Sequence, residues 1–288
     1  MEVKISINAN DCIKCGKCVK VCPSQIIKQN SNDAIAIVES SKGCISCGHC
    51  VAVCSTAAIS HSGFPAEKVH PIDYRLYPTP EQMMLLCKAR RSNRVFSNKP
   101  IPSDTLDLIL EAAHRAPTAS NMQQVSFTLI TDPKKIRLIT DFTIGVLRSS
   151  VKKLNNPLLK PFLKRIMPDA YRYVPLFGRL KKELENGNDP IIRKATAIML
   201  IHTPASNRFG YADANLAYQN GSLMAETLGV SQFYLGFVCA AIKQEKHGSL
   251  AKLLGIEGTI HSAMALGIPV FKYLNYIDRN DIEVTKMN

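Results

Sequence analysis

Eight of the ten cysteines in this 288-residue chain lie between Cys12 and Cys54, and their spacing can do chemistry. Residues 11–27, DCIKCGKCVKVCPSQII, and residues 43–59, GCISCGHCVAVCSTAAI, are identical at nine of 17 positions, with all four cysteines coinciding. Each run reads C-x2-C-x2-C-x3-C, an internal duplication. Three thiolates at three-residue intervals let a tight loop wrap one iron–sulfur cubane, and the fourth ligand comes from the other run. Cys12, Cys15, Cys18 and Cys54 are therefore expected to hold one 4Fe–4S cluster, and Cys44, Cys47, Cys50 and Cys22 a second. Gly16 and Gly48 keep the backbone close to the sulfurs, and Pro23 turns the chain after its ligand. Ser55 stands where the second run would carry the matching proline. Zinc is the competing metal, but its sites usually pair two C-x-x-C units rather than two evenly spaced triplets. His49, between two ligands, reads as an exposed loop residue.

Disulfides are the other use for an even number of cysteines, but they require an oxidising compartment. The opening MEVKISINAN has no basic segment leading into an apolar stretch, so the expected compartment is cytoplasmic. No apolar run approaches the roughly 20 residues of a membrane span. The net charge of +13 arises mostly downstream, because residues 1–62 carry six Lys against Glu2, Asp11, Asp33 and Glu39. Without a recognition-helix pattern, a zinc finger or any Trp, this charge reads as a basic face for anionic cofactors or substrates rather than for nucleic acid.

The elements that position further chemistry follow the repeat. Residues 63–80 hold four prolines (Pro65, Pro71, Pro78 and Pro80) and no periodicity, which predicts a linker. Residues 81–91 predict a helix, with Cys87 on its apolar face as buried packing. Residues 103–117 predict a second helix, capped by Ser103 and stopped by Pro117, burying Leu106, Ile109, Leu110 and Ala113. Strands are expected at 125–130, 195–203 and 259–268. A buried helix is expected at 213–229, capped by Asp213 and ended by Gly229. Residues 150–184 carry nine Lys or Arg and four prolines, and read as a basic excursion or lid cut into short pieces. Cys239 is expected to be a core thiol.

Two polar constellations stand out in this second half. Arg90, Arg91, Ser92 and Arg94 place three guanidiniums and a hydroxyl within five residues, suited to paired bonds with phosphate oxygens. Pro117, Ser120, Asn121 and Gln123 follow, and the amides can read the edge of a planar ring.

Residues 1–62 resemble the bacterial two-cluster ferredoxin domain, which implies a βαββαβ-like unit around a pseudo-twofold axis. In residues 81–288, the order Arg-Arg-Ser-x-Arg-x-Phe, Pro-x-x-Ser-Asn-x-Gln, YLGFV (234–238) and LGIP (266–269) resembles the flavin-dependent nitroreductase family. That resemblance implies an α+β domain with a mixed sheet surrounded by helices, intertwined as a homodimer with FMN at the subunit interface. It places Arg90, Arg91, Ser92 and Arg94 on the FMN phosphate and ribityl chain, with Asn121 on the pyrimidine edge. Leu235 and Gly236 would lie near the ring, and Lys272 and Arg279 would reach the phosphate. Gln124 replaces the family's proline after Gln123, and the C-terminal basic motif is diluted to FKYLNYIDRN (271–280).

The expectation is a ferredoxin–nitroreductase fusion in which two 4Fe–4S clusters exchange electrons with FMN. Its acceptors would be nitroaromatics, quinones or similar conjugated electrophiles, and its donor a reduced ferredoxin or a reductase. Two alternatives are an NAD(P)H-driven reductase with the clusters as a side branch, and a non-catalytic iron–sulfur carrier. No acid–base dyad is expected, because His114, His202, His247 and His261 are scattered.

Overall fold

The computed structural model describes residues 3–172 and 174–287. The chain divides into two compact units: Met1–Tyr77 with Ala119–Met122, and Pro78–Thr118 with Gln123–Asn288.

The first unit runs β1 (Ile5–Ile7), α1 (Lys17–Val21), β2 (Ile27–Lys28), β3 (Ile37–Val38), α2 (His49–Val53) and β4 (Ile59–His61), in the βαββαβ order the resemblance implies. β1 pairs antiparallel with β4, and β2 with β3. The duplication is written into the backbone. Gly16 and Gly48, the N-caps of α1 and α2, have φ of 66° and 72°, a region that favours glycine. Lys14 and Ser46, and again Gln25 and Ala57, repeat left-handed angles at the same separation. The core is small: Ile27, Ala36, Cys50 and Ile59 are its buried members. His49 is exposed as expected, but it opens α2 rather than lying in a loop. The proline-rich stretch forms two short 3-10 turns, Ala66–Lys68 and Tyr74–Leu76, and belongs to this unit through Tyr77.

The second unit opens with α3 (Pro80–Ala89), started by a capping box between Thr79 and Gln82. α3 buries none of its residues, so Cys87 is exposed rather than core. Next come α4 (Ser103–His114), β5 (Ser126–Ile130) and α5 (Pro133–Leu154). Ser103 is the first residue of α4 and not its cap; Pro102 takes that place without a side-chain bond. The basic excursion is cut into α6 (Lys160–Ile166), α7 (Pro168–Arg172) and α8 (Val174–Glu185). The remainder runs β6 (Ala197–Thr203), α9 (Gly210–Thr227), β7 (Ser231–Tyr234), α10 (Gly236–Glu245), α11 (Ser249–Leu254) and β8 (Thr259–Gly267). α9 starts three residues before Asp213, so that residue is buried in the first turn instead of capping it.

The sheet order is β5-β6-β8-β7, with each strand pair antiparallel. The parallel component is an isolated bridge from Ser92 to Gln232 at the β7 edge. Strands buried on both faces read as continuous apolar runs, and β6 is one. Ile198 and Leu200 point to the α5 and α10 side, whereas Ala197, Met199 and Ile201 point to the α4 and α9 side. α9 approaches α4 closely because it presents Gly221, where a Cβ would lie 3.2 Å from that of Ala113.

His202 and His261 are structural, each bonded through Nε2 to a strand threonine: Thr128 at 3.1 Å and Thr203 at 2.9 Å. Burial holds both below the usual imidazole range. Below about pH 6.5 the unfolded chain therefore binds protons that the folded chain refuses, and stability falls with pH. Urea midpoints by circular dichroism should drop more between about pH 7.5 and 5.5 in the native protein than in His202→Gln/His261→Gln. Equal drops would contradict this assignment.

Candidate metal centres and active site

In the first unit the thiols gather in crossed sets. Cys12, Cys15, Cys18 and Cys54 line one space, together with Ile7, Ala36 and Ile59. Cys22, Cys44, Cys47 and Cys50 line another, together with Ile5, Ile27 and His61. Among the described residues no three His, Cys, Asp or Glu side chains converge as a single metal ion demands. Four thiols line each of two spaces, the donor set that a four-iron cluster takes.

The electrostatics follow the same partition. Burial pushes the Cys18 thiol up, and the charges of Cys12 and Cys15 add to it. Burial likewise raises Cys50, reinforced by Cys47, Cys22 and Cys44. Cys54 goes the other way: burial raises it, but the Thr56 hydroxyl and the amides of Ala58, Thr56 and Ile59 outweigh burial, so the thiolate is favoured. Ser46 N donates to Cys44 Sγ at 3.4 Å, and His61 Nε2 lies 3.5 Å from the same sulfur. Burial lowers the His61 pKa.

In the second unit the arginine segment is stitched to the chain that follows β8. Buried Asn93 donates from Nδ2 to Phe271 O at 3.3 Å, and Ser97 N donates to Ile268 O at 2.8 Å. Arg90 caps α3, and Ser92 bridges to Gln232. Arg94 lies 5.4 Å over the Phe233 ring and Arg91 5.7 Å over Tyr273. Burial raises the Glu226 carboxyl, while the charges of Arg90 and Lys272 pull it down. Tyr218 donates its hydroxyl to Gln232 Oε1, and burial pushes that hydroxyl well up. Gln232 Nε2 is buried with no partner among the described residues, a donor that a ligand oxygen would satisfy.

A cleft of about 1220 Å³ adjoins this group, lined by Arg94, Phe233, Tyr234, Leu235, Gly236 and Phe237 among others. Leu235 is the buried N-cap of α10 and Gly236 its first residue, at the end of β7. The lining is mostly apolar, with Arg94 and Arg193 as its cations, a composition for a flat ring carrying an anionic tail. Cys239 is half-buried and packs against the main core, as expected; burial raises its thiol, partly offset by a bond with the Tyr234 hydroxyl.

The other expected residues are placed differently. Pro117, Ser120 and Gln123 are exposed in the turn after α4, and Ser120, Asn121 and Gln123 all have φ near 50°. Such left-handed angles are costly for non-glycine residues and cluster at functional sites. Asn121 groups with the first unit, where its Nδ2 donates to the carbonyls of Ser46 at 2.7 Å and Ile45 at 3.2 Å. Arg279 lies in the exposed segment after β8, with no bond or ion pair tying it to the other cations among the described residues. Asn93, Tyr218, Glu226 and Gln232 were not singled out from the sequence. The one available signal was a glutamine inside a buried strand.

The family profile for the nitroreductase family matches residues 87–268. The chain belongs to the nitroreductase family. Its nitroreductase region is preceded by a match to the 4Fe–4S dicluster domain over residues 4–55, so the protein is a fusion of the two. A protein of Archaeoglobus fulgidus, provisionally named NADH dehydrogenase/NAD(P)H nitroreductase, is 24% identical over 196 residues, covering 66% of this chain and 86% of that protein. The fold is similar to an FMN-bound nitroreductase of Desulfitobacterium hafniense (TM-score 0.54, 15% identity, 71% of this chain and 97% of that one). It is also similar to an FMN-bound nitroreductase of Bacteroides fragilis (TM-score 0.51, 18% identity, 71% and 99%). An iodotyrosine deiodinase bound to FMN and 3-iodo-L-tyrosine shares the fold (TM-score 0.51, 17% identity, 72% and 99%). No helix among the described residues of this nitroreductase-family chain is long and apolar enough to cross a membrane.

Crossed ligation makes a non-additive prediction. Cys12→Ala/Cys54→Ala removes two ligands of one cluster and should retain about four of about eight irons. Cys44→Ala/Cys54→Ala takes one ligand from each and should retain neither cluster. Equal iron in the two variants, measured after anaerobic reconstitution, would contradict the crossing.

Proposed function

We propose that this chain is an FMN-dependent oxidoreductase in which the two clusters exchange single electrons with the flavin. The observation that carries the reading is the cationic group around Arg90, Arg94 and Lys272 beside the apolar cleft of Phe233, Leu235 and Phe237. The charges of Arg90 and Lys272 act on the same carboxyl, Glu226, and Gln232 offers a buried donor beside Ser92. These side chains fit a phosphate and a carbonyl-edged ring. Bound there, FMN would accept electrons singly or in pairs and deliver them as hydride or stepwise.

The residues of this chain supply binding and environment. Arg90, Arg91 and Arg94 would hold the phosphate by charge-assisted bonds, and Ser92 would add a hydroxyl. Phe233 and Leu235 keep water from the floor. Burial keeps the Tyr234 hydroxyl and the Cys239 thiol protonated, so neither acts as a nucleophile at neutral pH. Asn121, Gln123 and Arg279 are assigned to the flavin by the family pattern. Joining carrier and flavin domain in one chain raises the effective concentration of one for the other. The acceptors are flat conjugated electrophiles such as nitroaromatics or quinones.

A homodimer is supported by the exposed apolar side chains of the segment after β8. Leu274, Ile277, Ile282 and Val284 lie 73% exposed or more, except Val284 at 64%, and a second copy would cover them. A second reading, hydride supply by NAD(P)H, is favoured by the name of the Archaeoglobus relative. Rapid flavin bleaching by NAD(P)H in stopped flow, without any one-electron donor, would establish that direction.

Arg90→Ala/Arg94→Ala removes two charged contacts at roughly 1.5–3 kcal/mol each. FMN should be lost on gel filtration while iron content stays unchanged. Normal flavin content in that variant would contradict the site.

A further inference from the structure

His61 is 4% exposed and its ring orientation is fixed on both sides. Nδ1 accepts from Gly63 N at 3.0 Å, so the proton of the neutral ring is on Nε2. Nε2 lies 3.5 Å from Cys44 Sγ. The ring packs on Phe64 with centroids 4.8 Å apart, and Phe64 lies against Gly48, where a Cβ would be 3.2 Å from the phenyl ring.

The internal duplication supplies its own control. The counterpart of His61 in the first repeat is Gln29, and the counterpart of Cys44 is Cys12. Gln29 Nε2 donates to the carbonyls of Lys14 at 3.0 Å and Ala34 at 2.7 Å, not to Cys12. The other cavity has its own side-chain partner, the exposed Thr56 hydroxyl 3.7 Å from Cys54 Sγ. Its counterpart Ser24 donates instead to Gly43 O at 2.7 Å. The two sets of thiols thus differ: a buried imidazole N–H serves one, and a longer, exposed hydroxyl contact serves the other.

We propose that His61 is a positioning residue that donates to Cys44 Sγ and raises the reduction potential of the cluster held by Cys22, Cys44, Cys47 and Cys50, making it the better electron acceptor of the pair. Reduction adds one electron, breaks no bond, and spreads negative charge onto the thiolates. The positive end of an N–H dipole stabilises that charge, as hydrogen bonds to cluster sulfurs generally do. The inference rests on the crossed assignment of these four cysteines.

The test is an anaerobic dithionite titration of the full-length protein, followed by electron paramagnetic resonance, comparing native, His61→Phe and His61→Gln chains. The Phe variant keeps the ring packing and removes the donor; the Gln variant restores an N–H. The higher of the two potentials should fall in His61→Phe by about tenfold in the oxidised/reduced ratio, about 59 mV, and recover in His61→Gln; a fall of the lower one would overturn the proposal. Two unchanged potentials with full iron would overturn the role of His61 alone, whereas a native protein holding only one cluster would overturn the cysteine assignment beneath it. If the Phe variant loses its clusters, 15N-histidine-labelled protein carrying His49→Gln is examined by pulsed resonance. A weak nitrogen coupling on one reduced cluster supports the bond, and its absence overturns it.

Discussion

The first unit depends on one geometric constraint: four sulfurs from two different loops must surround one space, twice. Antiparallel pairing of β1 with β4 and of β2 with β3 meets it by bringing the end of each repeat beside the start of the other. The apolar core is too small to enforce this alone, since its buried members are Ile27, Ala36, Cys50 and Ile59. Small scaffolds with so slight a core commonly add a metal or cross-links. The clusters would therefore hold the fold together while being held by it, with ligation free energy contributing to folding.

The second unit solves a different problem. Its sheet is packed on both faces, so binding residues collect at the β7 edge, where Ser92 and Gln232 meet and the chain turns into α10. There the chain places cations beside apolar walls. Glu226 is an acid acted on by the charges of Arg90 and Lys272, and it tempers a positive field. A ligand phosphate would compete for the same guanidiniums.

Legibility from sequence tracked how local each determinant is. The crossed grouping of the thiols was readable because three of every four come from a single loop and the duplication repeats the fourth. The βαββαβ order followed from the same repeat. The Arg90–Arg94 cluster was readable for the same reason, as was the buried face of α4. Residues whose role depends on distant partners were not. Gln232, Tyr218 and Asn93 matter through contacts across the fold, and His61 looks like any strand residue until Gly63 and Cys44 are seen on its two nitrogens. Capping was misjudged at Ser103 and Asp213 because each helix begins elsewhere than its polar residue suggested. Cys87 was misjudged because an apolar face in sequence is not a covered face in one chain.

The central claim is that iron–sulfur and flavin chemistry reside in the same polypeptide. Anaerobic purification followed by iron, sulfide and FMN analysis per chain, with the visible spectrum, tests it most directly. The account predicts about eight irons and about one FMN. Iron that persists with no flavin, even after FMN is supplied, would contradict it and leave an iron–sulfur carrier joined to a docking domain.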